Sequence, residues 1–364
     1  MKFTCAISDL RDAVQLLQPV CSNKPAFPIV ANILIRAKDN SVELTGTDLD
    51  ITIKTSIEAS VESEGETTVP VRYMRDTLMK IKSVAQISVE VDENNVIKIT
   101  AGERIKCNLR GVAAADFPSF PVLSECESVS IPAKEFSKML RYTGYAMSHD
   151  EQRYILNGIC FSFGEQLDVV ATDGRRLAKY TVSEIKTEKA SQIIIPVKAI
   201  NMMQQLLVGD DPVSMRFSSS QVEIIVGRNT LVARLMDGHY PDYKQVLPKN
   251  KTFSLTLNSG DFSNAVELAS VVTDKNKQGV VKLSLASGKM KVSAQTADIG
   301  ENSSELETEY AGEPMDISFN PTFLLDVFRN IDETEVTMDV INPISPTVIR
   351  TTDNFISIIM PMRF

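Results

Sequence analysis

The chain has 364 residues, 43% of them apolar, and a formal net charge of −9 at neutral pH. That length and apolar share predict two or three domains with ordinary hydrophobic cores. No apolar run approaches the roughly 20 residues of a membrane span, MKFTCAISDLRD lacks a signal-peptide core, and the acidity argues against gripping nucleic acid by bulk charge.

The five cysteines, Cys5, Cys21, Cys107, Cys126 and Cys160, form no Cys-x-x-Cys pair. They point to reduced thiols in a cytoplasmic protein, not to a disulfide frame or a zinc site. His149 and His239 have no second nitrogen or sulfur ligand near them in sequence. Neither a metal nor a cofactor is expected.

In chain order, a strand at Lys2–Ile7 leads into a helix with Ser8 as the expected N-cap and Leu10, Val14 and Leu17 on one face. After the Pro-punctuated loop CSNKPAFP come strands Ile33–Arg36, Val42–Thr45 and Ile51–Ile57. A second helix opens at Pro70, suited to a first turn because it has no N–H to leave unbonded. Its stripe is Met74, Leu78 and Ile81, and strands Ile87–Val91, Val96–Thr100 and Ile105–Leu109 follow.

The series restarts at Val129, with helix stripes Phe136, Met139, Leu140 and Thr143, then Ile200, Met203 and Leu207. A third copy starts near Thr252, with Phe262, Val266 and Ala269, then Leu324, Val327, Phe328 and Ile331. Thr47-Asp48 and Thr172-Asp173 lie 125 residues apart, and Thr296 lies 124 further on. A period of about 125 residues is too long for a solenoid and matches a whole domain.

The expected architecture is therefore α+β: three tandem domains, 1–122, 128–248 and 252–364, each an internally duplicated β-α-β-β-β unit. Two amphipathic helices on one antiparallel layer would bury the apolar faces of each domain. Short Pro-bearing links, Phe120–Glu127 and Leu247–Lys251, would hold the domains in fixed relation.

Charge is uneven along this pattern. Helix 71–82 carries Arg72, Arg75, Lys80 and Lys82 against Asp76, and helix 133–145 carries Lys134, Lys138 and Arg141 against Glu135. Acid collects in VESEGE, VDEN and ENSSELETE. Basic helices in an acidic chain point to a surface facing a polyanion; the alternative is a set of solvated helix faces.

Phosphate-loop, dinucleotide, zincin and nucleophile-elbow motifs are absent. Asp48 and Asp173 read either as repeated catalytic carboxylates or as Thr-Asp turns closed by side-chain-to-backbone bonds. The third copy has Ala297 before Asp298, which disfavours the enzyme. Gly174, Arg175 and Arg176 depart from the copy Leu49-Asp50 and are singular to the middle domain. The tail, with Met360, Met362 and Phe364 around Pro361, reads as a tucked last strand or as an adaptable wall for a partner peptide.

The blocks MKFT, TGTDLD, AADFPSFP, RYILNG, ATDGRRLA, DGHYPDYKQVLPK and MPMRF run in order through the whole chain. On these residues the chain closely resembles the bacterial β sliding clamps, the beta subunits of DNA polymerase III. The resemblance implies a non-enzymatic processivity factor: a head-to-tail homodimer closed into a ring, helices lining the hole and sheets outside. Such a ring encircles double-stranded DNA, and phosphate contacts of that kind carry no sequence information.

The resemblance also implies residues. Lys24, Arg72, His149, Arg153, Tyr154 and Lys198 would face DNA. The subunit joint would set Arg104, Lys106, Cys107 and Leu109 against Val271, Val272, Asp298, Glu301 and Glu305. A groove between domains two and three would bind the polymerase III alpha subunit, the clamp-loader delta subunit and other proteins with a clamp-binding motif. Its wall would be Leu156, Thr172, Gly174, Arg175, Arg176, Leu177, Pro241, Val246, Asn320, Phe323, Ile359, Met360, Pro361, Met362 and Arg363. Family members often carry Phe at the position of Cys107, His at Arg175, Arg at Gln245 and Tyr at Phe323. A repeat scaffold that binds proteins without touching nucleic acid is the rival reading.

Overall fold

The structure, a computed structural model, describes residues 1–21, 27–82, 84–207, 209–247, 253–273, 279–351 and 354–362. The first series of elements is β1 (Lys2–Ala6), α1 (Ile7–Leu17), β2 (Asn32–Lys38), β3 (Ser41–Thr47), β4 (Ile51–Glu58), β5 (Ser60–Ser63), β6 (Gly65–Pro70), α2 (Val71–Lys80), β7 (Gln86–Val91), β8 (Val96–Ala101) and β9 (Ile105–Arg110). The second is β10 (Glu127–Ile131), α3 (Ala133–Gly144), β11 (Gly158–Phe163), β12 (Leu167–Thr172), β13 (Arg176–Val182), β14 (Ser191–Pro196), α4 (Val197–Leu206), β15 (Val213–Phe217), β16 (Gln221–Val226) and β17 (Asn229–Arg234). The third is β18 (Phe253–Asn258), α5 (Ser259–Ser270), β19 (Val281–Ala286), β20 (Lys289–Thr296), β21 (Gly300–Glu307), β22 (Met315–Phe319), α6 (Pro321–Asn330), β23 (Glu335–Val340), β24 (Thr347–Arg350) and β25 (Phe355–Ile359). Apart from β5, each series is β-α-β-β-β twice.

Helix starts differ from the expectation. Ala6, not Ser8, holds the N-cap position of α1, and the Ser8 hydroxyl bonds Asp9 Oδ1. The reason is that β1 runs straight into α1, so the start is set where β1 stops pairing with β7, at Ala6↔Gln86. Pro70 likewise ends β6 and caps α2 instead of sitting in its first turn. At the end of α4 the buried residue is Leu206, and Leu207 is only half-buried.

The chain divides into two compact units, Met1–Phe136 with Lys198–Leu235, and Ser137–Val197 with Met236–Phe364. The first holds a five-stranded sheet, β5-β1-β7-β8-β9, and an eight-stranded one, β10-β15-β16-β17-β4-β3-β2-β6. The second holds β14-β11-β12-β13-β25-β24-β23-β18 and β21-β20-β19-β22. One layer per domain is thus incorrect. In each half-repeat the three strands after the helix take their fourth neighbour from the other half: β6 joins β2–β4, and β1 joins β7–β9. With β5 set aside, the described strands form six four-stranded modules, and the last strand of a module makes the joint to the next: β4 with β17, and β13 with β25.

Helix stripes supply the cores. In the first unit Leu10, Val14 and Leu17 of α1 and Met74 and Leu78 of α2 are fully buried where the two helices pack together. In the second, α5 packs on α6, with the Phe262 and Phe328 rings 4.9 Å apart.

Candidate partner-binding groove and strand edges

The turn between β12 and β13 is built by two side chains. Thr172 Oγ1 accepts the Gly174 N–H at 3.1 Å and donates to the Arg176 carbonyl. Asp173 Oδ1 accepts the N–H groups of Arg175 and Arg176 at 2.8 and 3.0 Å. Gly174 has φ +83°, a backbone conformation that glycine adopts without the strain a side chain would bring. The β3–β4 turn repeats this bonding: Asp48 Oδ1 accepts the N–H groups of Asp50 and Ile51 at 3.1 and 2.7 Å. In both copies, then, the aspartate oxygen is held by turn amides.

Arg176 is buried under the turn, its side chain 8% exposed. Its guanidinium reaches Asp173 at 3.1 Å, Asp326 at 2.6 Å and the Tyr145 carbonyl at 2.7 Å, and it stacks 4.6 Å from the centre of the Phe323 ring. A buried cation is tolerable only with such a full set of acceptors. Beyond the last β13–β25 pair, Arg176↔Ile359, the Met360 N–H bonds the Arg175 carbonyl at 2.9 Å. That bond brings the Met360 side chain, 40% exposed, to the rim.

Above this turn lies an open groove of about 580 Å³. Of the wall residues that the resemblance implies, Leu156, Thr172, Gly174, Arg175, Arg176, Leu177, Pro241, Val246 and Met360 line this cavity. Other expected wall residues are elsewhere. Ile359 is wholly buried, Asn320 caps α6 through the Thr322 N–H, Phe323 lies beneath Arg176, and Met362 donates its N–H to Ser318. Pro361 is half-buried outside the lining, and Arg363 lies outside the described residues.

Sequence reasoning missed Asp242, Tyr243, Leu247, Ile341, Ser345, Pro346 and Ile358 in the lining and treated Gln245 only as a family difference. Tyr243 and Leu247 flank Val246 in the same short segment after Pro241, which was a usable signal, but the β23–β24 loop is brought in by the sheet alone. Tyr243 is anchored to Asp168, which also takes hydrogen bonds from Thr181 and Lys179. Burial pushes the Asp168 carboxyl upward, yet the Thr181 bond and the Lys179 charge prevail and hold it below the usual range.

Two further expected sets fall on surfaces. Arg72 is exposed near the start of α2, and Lys198, also exposed, is ion-paired with Asp48. His149, Arg153 and Tyr154 are exposed in the second unit, with Arg153 Nη1 bonded to the Asp173 carbonyl at 2.7 Å. Lys24 lies outside the described residues. Among the described residues no cluster of His, Cys, Asp and Glu could hold a metal, and no helix is long and apolar enough to cross a membrane.

β9 and β21 are the two module-ending strands with no outer neighbour among the described residues. Arg104 and Lys106 are exposed at β9, with Cys107 and Leu109 half-buried. Near β21, Asp298, Glu301, Glu305 and Val271 are exposed. Val272 is only 7% exposed, its carbonyl taking the Thr296 hydroxyl, so it offers little side-chain surface. Leu268 and Ile299, 49% and 61% exposed, are further exposed apolar side chains on α5 and just before β21.

Comparison with known proteins follows the same lines. Family models for the N-terminal, central and C-terminal domains of the DNA polymerase III beta subunit match residues 1–121, 130–242 and 244–363. The beta sliding clamps of Proteus mirabilis and Escherichia coli K12 are each 29% identical, with both chains covered in full. Among solved structures, the sliding clamp of Bacillus subtilis aligns with TM-score 0.95 at 26% identity, over 100% of this chain and 99% of that one. The clamp of Bartonella birtlesii bound to griselimycin aligns with TM-score 0.93 at 30% identity over both whole chains.

Proposed function

The chain belongs to the DNA polymerase III beta subunit family and is a sliding clamp, and from that premise we infer that two copies close head to tail around duplex DNA. The observation that carries this is the pair of unmatched strands. Within the chain β4 zips to β17 and β13 to β25, whereas the outer edges of β9 and β21 have no neighbour among the described residues. An exposed edge is a template for pairing. β9 of one copy against β21 of another repeats the joint already used twice, and two such heterologous contacts close a ring. Arg104 and Lys106 then face Asp298, Glu301 and Glu305, around Leu109, Val271, Leu268 and Ile299.

The domains of this clamp are 1–122, 128–248 and 252–364. DNA passes through the ring near Lys24, Arg72, His149, Arg153, Tyr154 and Lys198, and is held by enclosure, not by a deep binding well. The clamp acts in the cytoplasm and without chemistry of its own. The groove lined by Leu177, Val246 and Met360 takes short motifs of the polymerase III alpha subunit, the clamp-loader delta subunit and other clamp-binding proteins. It is concave and mainly apolar with a few polar groups, as ligand grooves are.

The test is retention on nicked circular DNA after loading. Protein that stays on circles and is lost once they are cut to linear form is a topological tether. Protein that dissociates equally from both, or never loads, defeats the reading.

A further inference from the structure

We propose that the cleft at the β4–β17 joint is a second copy of the peptide groove, closed to apolar peptides by its own side chains, with Asp50 and Arg234 as the deciding residues. The proposal rests on the reading of the β13–β25 groove as the peptide site.

The two joints correspond residue by residue. Ile51 and Thr52 pair with Ala233 and Val232, as Arg176 and Leu177 pair with Ile359 and Ile358. One step further, the Arg234 N–H bonds the Asp50 carbonyl at 2.9 Å, as the Met360 N–H bonds that of Arg175 at 2.9 Å. The turns share their Thr-Asp bonding, and Leu49 at φ +82° stands where Gly174 stands at +83°. Pro118 lines one cavity and Pro241 the other.

What differs is the lining. The apolar Leu177 and Met360 of the groove correspond to Thr52 and Arg234. Gln221, opposite Arg234, stands in the place of Pro346. Thr52 is tied inward by a 2.8 Å bond to Thr47, and the Arg234 guanidinium lies 3.7 Å from the Asp50 carboxylate. The cavity that remains is about 120 Å³, against about 580 Å³. The ion pair is well exposed and contributes little to the fold. Its effect is on binding, because an apolar side chain seated there would strip water from both charges.

The test moves the groove's residues into the cleft with D50R/T52L/R234M, each new side chain being one the fold already carries at the equivalent place. The probe is a fluorescent clamp-binding peptide from the chain's own polymerase III alpha subunit, with stoichiometry read by titration calorimetry. Wild type is expected to take one peptide per chain and the variant two. In chains lacking Met360–Phe364 the counts become zero and one. A folded variant that still binds one peptide overturns the proposal, as does a wild type that binds two. A wild type that binds none refutes the groove reading instead. Should the triple variant misfold, R234M alone decides. A photoreactive peptide must then label Pro118–Pro121 in R234M and not in wild type, and equal labelling overturns the proposal.

Discussion

Arg176 Nη1 and Asp326 Oδ2 meet at 2.6 Å across 150 residues of sequence. The bond ties the β12–β13 turn to α6, and the same guanidinium caps the Phe323 ring. One residue later, Leu177 lines the groove. The groove's shape therefore depends on a charge beneath it.

Replacing Arg176 by alanine leaves the Asp326 and Asp173 carboxylates without their cationic partner in a mostly buried setting. The cost is about 3 kcal/mol, in the range for breaking a buried pair. Thermal melting should show a lower first transition, and peptide affinity should fall at least tenfold. A variant with unaltered melting and affinity would remove Arg176 from this role.

Removing Met360–Phe364 takes away the rim residue held by the Arg175 carbonyl. Anisotropy with a polymerase-derived peptide should show no binding, while sedimentation still shows a dimer. Full-strength binding by the truncated chain would place the groove elsewhere.

Leu49 occupies left-handed backbone that a branched side chain resists, at a cost of roughly 1–2 kcal/mol. Leu49→Gly should therefore raise the melting temperature slightly, since the side chain is 48% exposed and loses little burial. Gly174→Ala, at the matching site, should lower it. Equal shifts in the same direction would contradict the argument.

Leu268→Lys with Ile299→Lys puts charge beside β21. Sedimentation across a dilution series should move from dimer toward monomer, with the far-ultraviolet spectrum unchanged. A dimer as tight as wild type would remove those two residues from the joint.

Asp168 titrates below its ordinary value of 3.8 in the folded chain. The unfolded chain thus binds the proton more readily, so this contribution to stability is fully present above the unfolded value. It is lost as pH falls through the lower folded value. Asp168→Asn should flatten the acid limb of a melting-temperature profile below about pH 4, and an unchanged acid limb would count against it.

Sequence alone determined the threefold repeat, the β-α-β-β-β order and the helix stripes, because helical and strand periodicity are local properties of the chain. It also picked out Gly174, Arg175 and Arg176, since a departure between copies is visible without coordinates, and Met360, since an apolar chain end is. Tertiary structure decided how strands from different halves share a sheet, which left β9 and β21 with no outer neighbour among the described residues and joined β13 to β25. It placed Ile341, Ser345 and Pro346 on the groove and drew Phe323 beneath Arg176. Long-range strand pairing and the burial of one cation are set by which surfaces meet, and no local pattern encodes that.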